Sequence, residues 1–150
     1  MLFRSWPILT RDEERPPVTV LPGAEIESSL VANGCRVAGR VVRSILFPGV
    51  TVEAGASIVD SVVLSDVVLA TGSRLERVIL DKYAQVGAGA TIGAAKGELT
   101  LIGKYAAIPA QGRVGAGAVL GVGAGPSDFV DNAVPAGTRI PDRHALLAHP

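Results

Sequence analysis

The sequence predicts an all-β fold, a single-stranded left-handed parallel β-helix built from hexapeptide repeats. Three observations support this fold: a repeat every fifteen to eighteen residues, an apolar residue at every sixth position, and a composition poor in large rings. Hydrophobic residues make up 48% of the 150 residues, yet aromatic residues contribute only 4% and glycine occurs 18 times. Val, Ile, Leu and Ala must therefore fill the interior, which suits narrow, repetitive layers.

Five segments align without gaps and define the repeat, with starts that lie 15, 17, 17 and 22 residues apart. The segments are 29–37, 44–52, 61–69, 78–86 and 100–108. Three of their columns are apolar, namely Val31, Leu46, Val63, Leu80 and Ile102; Cys35, Val50, Val67, Ala84 and Ala106; and Val37, Val52, Leu69, Val86 and Ile108. The last two columns are two positions apart, the spacing at which strand side chains share a face. We therefore predict that all three columns point into the core.

Turn-forming pairs separate the predicted strands, as at Asn33-Gly34, Pro48-Gly49 and Ser65-Asp66. An apolar residue at every sixth position does not match an α-helical face, which needs spacings of three and four. The pattern instead fits short strands joined by tight corners, with successive coils stacked in parallel. The longer interval before Thr100 predicts a short insertion, residues 94–98, that bulges from a corner.

The same pattern divides the chain into three parts. Residues 1–22 are predicted to form a linker and entry segment that leads into the solenoid, 23–138 the left-handed β-helix, and 139–150 a C-terminal cap or tail. The lone Cys35 falls in an apolar column, which predicts a small buried residue and no disulfide.

Composition also bears on location and partners. No segment approaches the ~20 apolar residues of a membrane span, and Arg4 and Pro7 interrupt the first ten residues. We therefore expect a cytoplasmic protein without membrane contact. The 14 basic residues are balanced by 14 acidic ones, so nucleic acid is not an expected partner.

An apolar stripe is predicted on the outside of the solenoid. Each member precedes the first inward column by one position and therefore points to the opposite face of its strand. The members are Leu30, Ile45, Val62, Ile79 and Leu101. A continuous line of large aliphatic side chains on a surface is typical of a contact with another subunit or domain. The alternative is that a terminal segment, 1–28 or 138–150, folds back over it.

Three segments of the chain are distinctive: Trp6-Pro-Ile-Leu-Thr-Arg-Asp-Glu-Glu-Arg-Pro-Pro17, Ser28-Ser-Leu-Val-Ala-Asn-Gly-Cys35 and Val78-Ile-Leu-Asp-Lys82. With them the chain resembles, over roughly residues 5–140, the C-terminal region of bacterial glucose-1-phosphate adenylyltransferase. In that family the first segment links an N-terminal nucleotidyltransferase domain to a C-terminal left-handed β-helix.

The resemblance implies a division of labour between two domains. Full-length relatives make ADP-glucose from ATP and glucose 1-phosphate, with magnesium, for glycogen synthesis, and their catalytic groups belong to the N-terminal domain. This chain is then either an excised domain or a free-standing homologue, with no catalytic residue, metal or cofactor of its own. The expected partners are further copies of the chain, a nucleotidyltransferase domain and a phosphorylated metabolite that acts as an allosteric effector.

A candidate anion site follows from a repeated corner, Asp81-Lys82-Tyr83-Ala84 and Gly103-Lys104-Tyr105-Ala106. If the two coils are direct neighbours, Lys82 lies almost over Lys104. Two ammonium groups a few ångströms apart repel by about 1 kcal/mol in a water-like dielectric, and a bound phosphate or carboxylate would relieve that repulsion. The resembling family supplies basic residues to its regulator site from similar positions. The alternative is two solvated lysines that splay apart.

A looser basic set is interpreted as solvated ion pairs, because acidic residues are interspersed with it. Its members are Arg36, Arg40, Arg43, Arg74 and Arg77.

Three other functions are weighed against regulation and assembly. A hexapeptide acyltransferase generally places a histidine on a coil as the base, and a γ-class carbonic anhydrase needs three zinc-binding histidines. The only histidines here are His144 and His149, in the predicted tail, which disfavours both enzymes. A purely structural scaffold for a trimer or tetramer shares the predicted interface but expects no ligand.

Overall fold

A computed structural model describes residues 14–143 and arranges them as a solenoid of about seven coils. The strands of the first four coils, in chain order, are β1 (Thr19–Val20), β2 (Glu25–Glu27), β3 (Leu30–Val31), β4 (Arg36–Val37), β5 (Arg40–Val42), β6 (Ile45–Leu46), β7 (Thr51–Val52), β8 (Ser57–Val59), β9 (Val62–Val63), β10 (Val68–Leu69), β11 (Arg74–Glu76) and β12 (Val78–Leu80). The later strands are β13 (Gln85–Val86), β14 (Thr91–Gly93), β15 (Thr100–Ile102), β16 (Ala107–Ile108), β17 (Arg113–Val114), β18 (Val119–Leu120), β19 (Ala133–Val134) and β20 (Arg139–Ile140), with a 3₁₀ turn at Pro126–Asp128.

Up to β18 every third strand belongs to the same parallel sheet, and β19 and β20 then extend the second and third sheets, so the solenoid has three flat faces. Face 1 is the six-stranded sheet β1-β4-β7-β10-β13-β16, face 2 is the seven-stranded sheet that runs from β2 to β19, and face 3 is the seven-stranded sheet that runs from β3 to β20. Each strand pairs in register with the equivalent strands of the coils before and after it. This architecture confirms the predicted all-β fold, the left-handed parallel β-helix. No helix in the described part of the chain is long and apolar enough to cross a membrane.

Strand pairing extends beyond the predicted solenoid bounds of 23 and 138. Thr19–Val20 already pairs with the second coil, where Val20 lies opposite Val37, and Arg139–Ile140 pairs with β18, where Ile140 lies opposite Leu120. Apolar residues at the inward register thus continue the ladder at both ends.

The predicted inward columns form the core. Apart from the half-buried Val31, which lies on the first coil, every member of the three columns is at most 3% exposed. Cys35 is 1% exposed, as expected for a small buried residue, and its thiol donates a hydrogen bond of 3.1 Å to the carbonyl of Phe47. Burial raises the pKa of this thiol, which keeps it in the neutral form that an apolar interior favours.

Serine hydroxyls connect successive coils at the corner between faces 2 and 3. The Ser44 hydroxyl donates to the Val42 carbonyl at 2.7 Å and accepts the backbone N–H of Ser61 at 3.1 Å. The Ser61 hydroxyl donates to the Val59 carbonyl at 2.8 Å and accepts the N–H of Val78 at 3.1 Å. This ladder explains why serine recurs at the first position of the repeat, a role that the sequence pattern did not reveal.

The predicted insertion leaves the solenoid at this same corner. Residues 94–98 form no strand between β14 and β15, and they are mostly exposed. The guanidinium of Arg77, on the preceding coil, donates a hydrogen bond of 2.7 Å to the carbonyl of Gly97. The prediction of a bulge at 94–98 is therefore confirmed.

Arg15 ties the segment before β1 to the later coils along the corner between faces 3 and 1. Its side chain lies against Gly34 and Gly49, and its guanidinium forms two hydrogen bonds, of 2.7 and 3.0 Å, with the carboxylate of Asp66. A Cβ at Gly34 would lie 2.9 Å from Cδ of Arg15, and the φ angles of +78° and +82° at the two glycines also favour glycine. Because glycine has no Cβ at these two positions, the side chain of Arg15 can pass over them and reach Asp66.

We expect Ser61→Ala to destabilise the solenoid by about 1–3 kcal/mol, because the N–H of the fully buried Val78 then lacks its acceptor. Urea denaturation followed by circular dichroism measures the change in the free energy of unfolding. The control is Ser65→Ala, since the Ser65 hydroxyl makes no hydrogen bond to the described part of the chain. An equal loss in both variants would contradict the role of the ladder.

The Arg15–Asp66 pair predicts a pH dependence of stability. The hydrogen bonds from Arg15 lower the pKa of Asp66 in the folded state, so its stabilisation is complete above the unfolded value of about 3.9 and is lost as the pH falls through the folded pKa. The free energy of unfolding, measured between pH 2 and 6, should therefore fall less steeply on acidification in Asp66→Asn than in the native chain, which flattens the acid limb of its pH profile. Arg15→Gln, which removes the donor of both hydrogen bonds, should flatten the limb in the same way. An acid limb in Asp66→Asn as steep as the native one would disprove the linkage.

Candidate functional site

The two predicted lysines lie on successive coils of the corner between faces 3 and 1. β12 pairs with β15 before this corner and β13 pairs with β16 after it, so the two coils are direct neighbours. The backbone N–H of Tyr105 donates a hydrogen bond of 3.1 Å to the carbonyl of Lys82. Lys82 is exposed and Lys104 is half-buried. The premise of the anion-site hypothesis, that these coils are adjacent, is therefore met.

Two tyrosines, which the sequence analysis left without a role, form the centre of this corner. The rings of Tyr83 and Tyr105 are stacked with centroids 5.2 Å apart and planes 10° apart, and the side chains are 45% and 50% exposed. Both residues have a φ of +60°, a conformation that bulky residues rarely adopt. The repeated Lys-Tyr-Ala in the sequence could have indicated this tyrosine pair. It does so only when the two coils are known to be neighbours.

The ammonium of Lys104 lies beside the stacked rings. Nζ is 5.2 Å from the centroid of Tyr105 and 5.7 Å from that of Tyr83. Both distances are within the range of a cation–π contact, so the ammonium interacts with both rings. Such cation–π contacts contribute about 0.5–1 kcal/mol at exposed sites. The rings thereby hold one of the two predicted charges in place.

Lys82 completes a positive and aromatic surface. It forms no ion pair with any of residues 14–143, and the nearby Asp81 carboxylate accepts the backbone N–H of Lys82 at 2.7 Å. The two lysines and the two tyrosines thus occupy the same corner on successive coils. The described residues contain no histidine and no cluster of three His, Cys, Asp or Glu side chains suited to hold a metal ion. Anion binding at this corner stays a prediction from the two lysines.

The predicted apolar stripe points outward on face 3. Strand register places its five members opposite one another, and Val119 on β18 extends the stripe by one further residue. Leu30 is 69% exposed, and Ile45 and Leu101 are each 39% exposed. At the N-terminal end the stripe borders a shallow apolar depression of about 360 Å³ next to Phe47 and Pro48.

The alternative covering of the stripe by terminal segments is addressed only for the described residues. Residues 14–28 lie along the first coil, and β20, at Arg139–Ile140, forms the last rung of face 3. Neither runs across the stripe. Residues 1–13 and 144–150, which belong to the same alternative, lie outside the described residues.

The looser basic set is partly paired. The guanidinium of Arg43 forms two hydrogen bonds with Asp60, of 2.7 and 3.1 Å, and this contact lowers the pKa of the Asp60 carboxyl. Arg40 lies 3.5 Å from the carboxylate of Glu25. The interpretation as solvated ion pairs is confirmed for these two arginines. Arg74 has no such partner within the described part of the chain.

Comparison with known sequences identifies relatives of this chain. A family model described as GlmU-like, C-terminal hexapeptide matches residues 21–99, more than half of the chain. The glucose-1-phosphate adenylyltransferase of Thermomicrobium roseum is 39% identical over 150 residues, which cover 91% of this chain and 35% of that protein. The enzyme of the same name from Acetivibrio thermocellus is 30% identical over 128 residues, which cover 77% of this chain and 30% of that protein. The chain thus spans about a third of the length of these curated relatives, and the resemblance noted in the sequence is confirmed.

Solved structures with a similar fold are more distant in sequence. A putative acetyltransferase from Desulfovibrio desulfuricans G20 superposes with a TM-score of 0.61 at 15% identity, over 87% of this chain and 27% of that one. A hexapeptide transferase family protein from Anaplasma phagocytophilum has a TM-score of 0.50 at 12% identity, over 87% of this chain and 77% of that one. At these identities the likeness shows the fold alone. The family match and the solenoid agree: this chain belongs to the GlmU-like, C-terminal hexapeptide family.

Proposed function

We propose that this chain is an assembly and effector-binding module of a glucose-1-phosphate adenylyltransferase and performs no catalysis itself. The observation that carries the proposal is the extent of the similarity: it spans 91% of this chain but 35% of the Thermomicrobium roseum enzyme. ADP-glucose synthesis for glycogen, with its ATP and magnesium, is then the work of a nucleotidyltransferase domain that acts with the solenoid. A cytoplasmic location accords with that metabolic role.

The stripe on face 3 supports the assembly part of the proposal. Its aliphatic side chains are aligned on six successive coils, so they offer a flat apolar strip rather than scattered contacts. Burial of apolar surface contributes about 25 cal/mol per Å², and a strip of this kind is typical of an interface. We assign it to contacts between copies of this chain in a homo-oligomer.

The lysine–tyrosine corner supports the effector part. Lys82 and Lys104 occupy the same register on adjacent coils, and no carboxylate of the described residues forms an ion pair with either of them. A phosphoryl group beside Lys82 is attracted by both ammonium charges, and the attraction is strongest where the rings exclude water. A phosphorylated metabolite is therefore the proposed effector.

The assembly role predicts that Ile79→Glu, at the centre of the stripe, lowers the oligomer mass, because a carboxylate cannot be desolvated at an apolar interface without a partner. Analytical ultracentrifugation measures the mass over a range of concentrations. Val68→Glu is the matched control, since Val68 is an exposed valine on face 1, away from the stripe. A native chain that stays monomeric, or an Ile79→Glu variant with native mass, would refute the assignment.

The effector role predicts that fructose 1,6-bisphosphate binds the purified chain and that the Lys82→Ala/Lys104→Ala double variant binds it at least tenfold more weakly, as expected when two charge-assisted contacts are lost. Isothermal titration calorimetry gives both affinities. Lys96→Ala, in the exposed insertion, serves as the control and should bind like the native chain. Unchanged affinity in the double variant would refute the effector site. Turnover of ATP with glucose 1-phosphate by the purified chain would refute the non-catalytic assignment.

A further inference from the structure

Face 2 carries an outward column in which arginine alternates with a hydroxyl residue. Strand register places Arg40, Ser57, Arg74, Thr91 and Arg113 directly opposite one another on five successive coils. Adjacent strands lie about 4.8 Å apart, so successive arginines are separated by roughly 9.6 Å at the backbone. Each short hydroxyl side chain therefore forms the floor of a gap with an arginine on either side.

The gap over Ser57 is a cleft of about 370 Å³. Arg40 and Arg74 line its two sides, Ser57 lies between them, and Glu76 lines one end. Arg74 and Glu76 are two residues apart on the same strand, so both side chains point outward on face 2, with about 6.7 Å between their backbones. The cleft thus combines two guanidiniums, a hydroxyl and one carboxylate.

The two guanidiniums of the cleft have carboxylates near them, Glu76 within the cleft and Glu25 beside Arg40, but neither carboxylate forms an ion pair with Arg74. Arg74 has neutral register neighbours, Ser57 and Thr91, and it forms no ion pair within residues 14–143. Arg40 has one acidic partner, Glu25, at 3.5 Å, but the two side chains are 51% and 73% exposed, and exposed pairs of this kind contribute little. Guanidinium groups bind tetrahedral oxyanions through paired N–H donors. An oxyanion over Ser57 would be held by a guanidinium from each side.

We propose that this cleft binds a phosphate or sulfate monoester that also carries a free hydroxyl group. The anionic group lies between Arg40 and Arg74 over the Ser57 hydroxyl. Glu76 accepts a hydrogen bond from the ligand hydroxyl, and its charge repels ligands with a second anionic group at that end. The proposal is independent of the lysine–tyrosine corner, because the corner between faces 3 and 1 is on the opposite side of the solenoid from face 2.

The test uses glycerol 3-phosphate and inorganic phosphate as probes, titrated into the full chain carrying Lys82→Ala/Lys104→Ala, so that the lysine corner does not contribute. Amide chemical shifts of Ser57 and Arg74 report binding in the cleft. Arg74→Gln should lower the affinity for glycerol 3-phosphate at least tenfold. Arg40→Gln, a second variant, should lower this affinity to a similar extent. Glu76→Gln should lower the affinity for glycerol 3-phosphate but not the affinity for inorganic phosphate.

Arg36→Gln is the matched control. Arg36 is equally exposed and lies between Thr19 and Thr51, but face 1 has no second arginine in its outward column, so this variant should bind like the parent. Absence of binding to the parent, or equal affinities for Arg74→Gln and Arg36→Gln, would overturn the proposal. Unchanged melting temperatures for these exposed substitutions would show that any loss is local.

Discussion

The in-register stacking of successive coils is the constraint on which the rest of the structure depends. A single coil cannot bury its inward side chains, and its backbone donors need acceptors on the next coil, as when Thr51 donates to Val67 and Val68 donates to Ala84. Stacking satisfies both needs at once, because the same one-coil translation aligns the carbonyls and the aliphatic columns. Any shift of one residue would turn an inward column outward. The register therefore also aligns every outward position, which is why surface chemistry on this chain occurs in columns.

The residues at the corners differ in chemistry from coil to coil. At the corner between faces 3 and 1, one residue per coil has a positive φ, and Gly49, Asp66 and Tyr83 meet that requirement in different ways. Glycine leaves room for the side chain of Arg15, aspartate receives its guanidinium, and tyrosine stacks on the next coil. At the corner between faces 2 and 3, serine hydroxyls replace backbone partners between coils. Chemical variety is thus concentrated where the strands end, on a backbone that is nearly constant.

Three kinds of surface lie on different parts of the solenoid. Face 3 exposes aliphatic side chains, face 2 alternates arginine with hydroxyl residues, and the corner opposite face 2 carries lysine and tyrosine. A rigid prism keeps these surfaces apart and at constant spacing, so contacts made at one of them leave the others accessible. This separation is what the proposed assembly and effector-binding roles require of a chain that matches about a third of an adenylyltransferase.

The sequence by itself determined the fold, the inward columns and the outward stripe, because a six-residue apolar period with strand spacing admits few other solutions. It also located the insertion at 94–98 and the repeated lysine corner. Only the tertiary structure decided which side chains come together across coils: Arg15 with Asp66, Tyr83 with Tyr105, and Arg40 and Arg74 on the two sides of one cleft over Ser57. These residues are 17 to 51 positions apart in the chain. Their proximity depends on the length of each coil and on which corner positions take a positive φ, and neither follows from residue type alone.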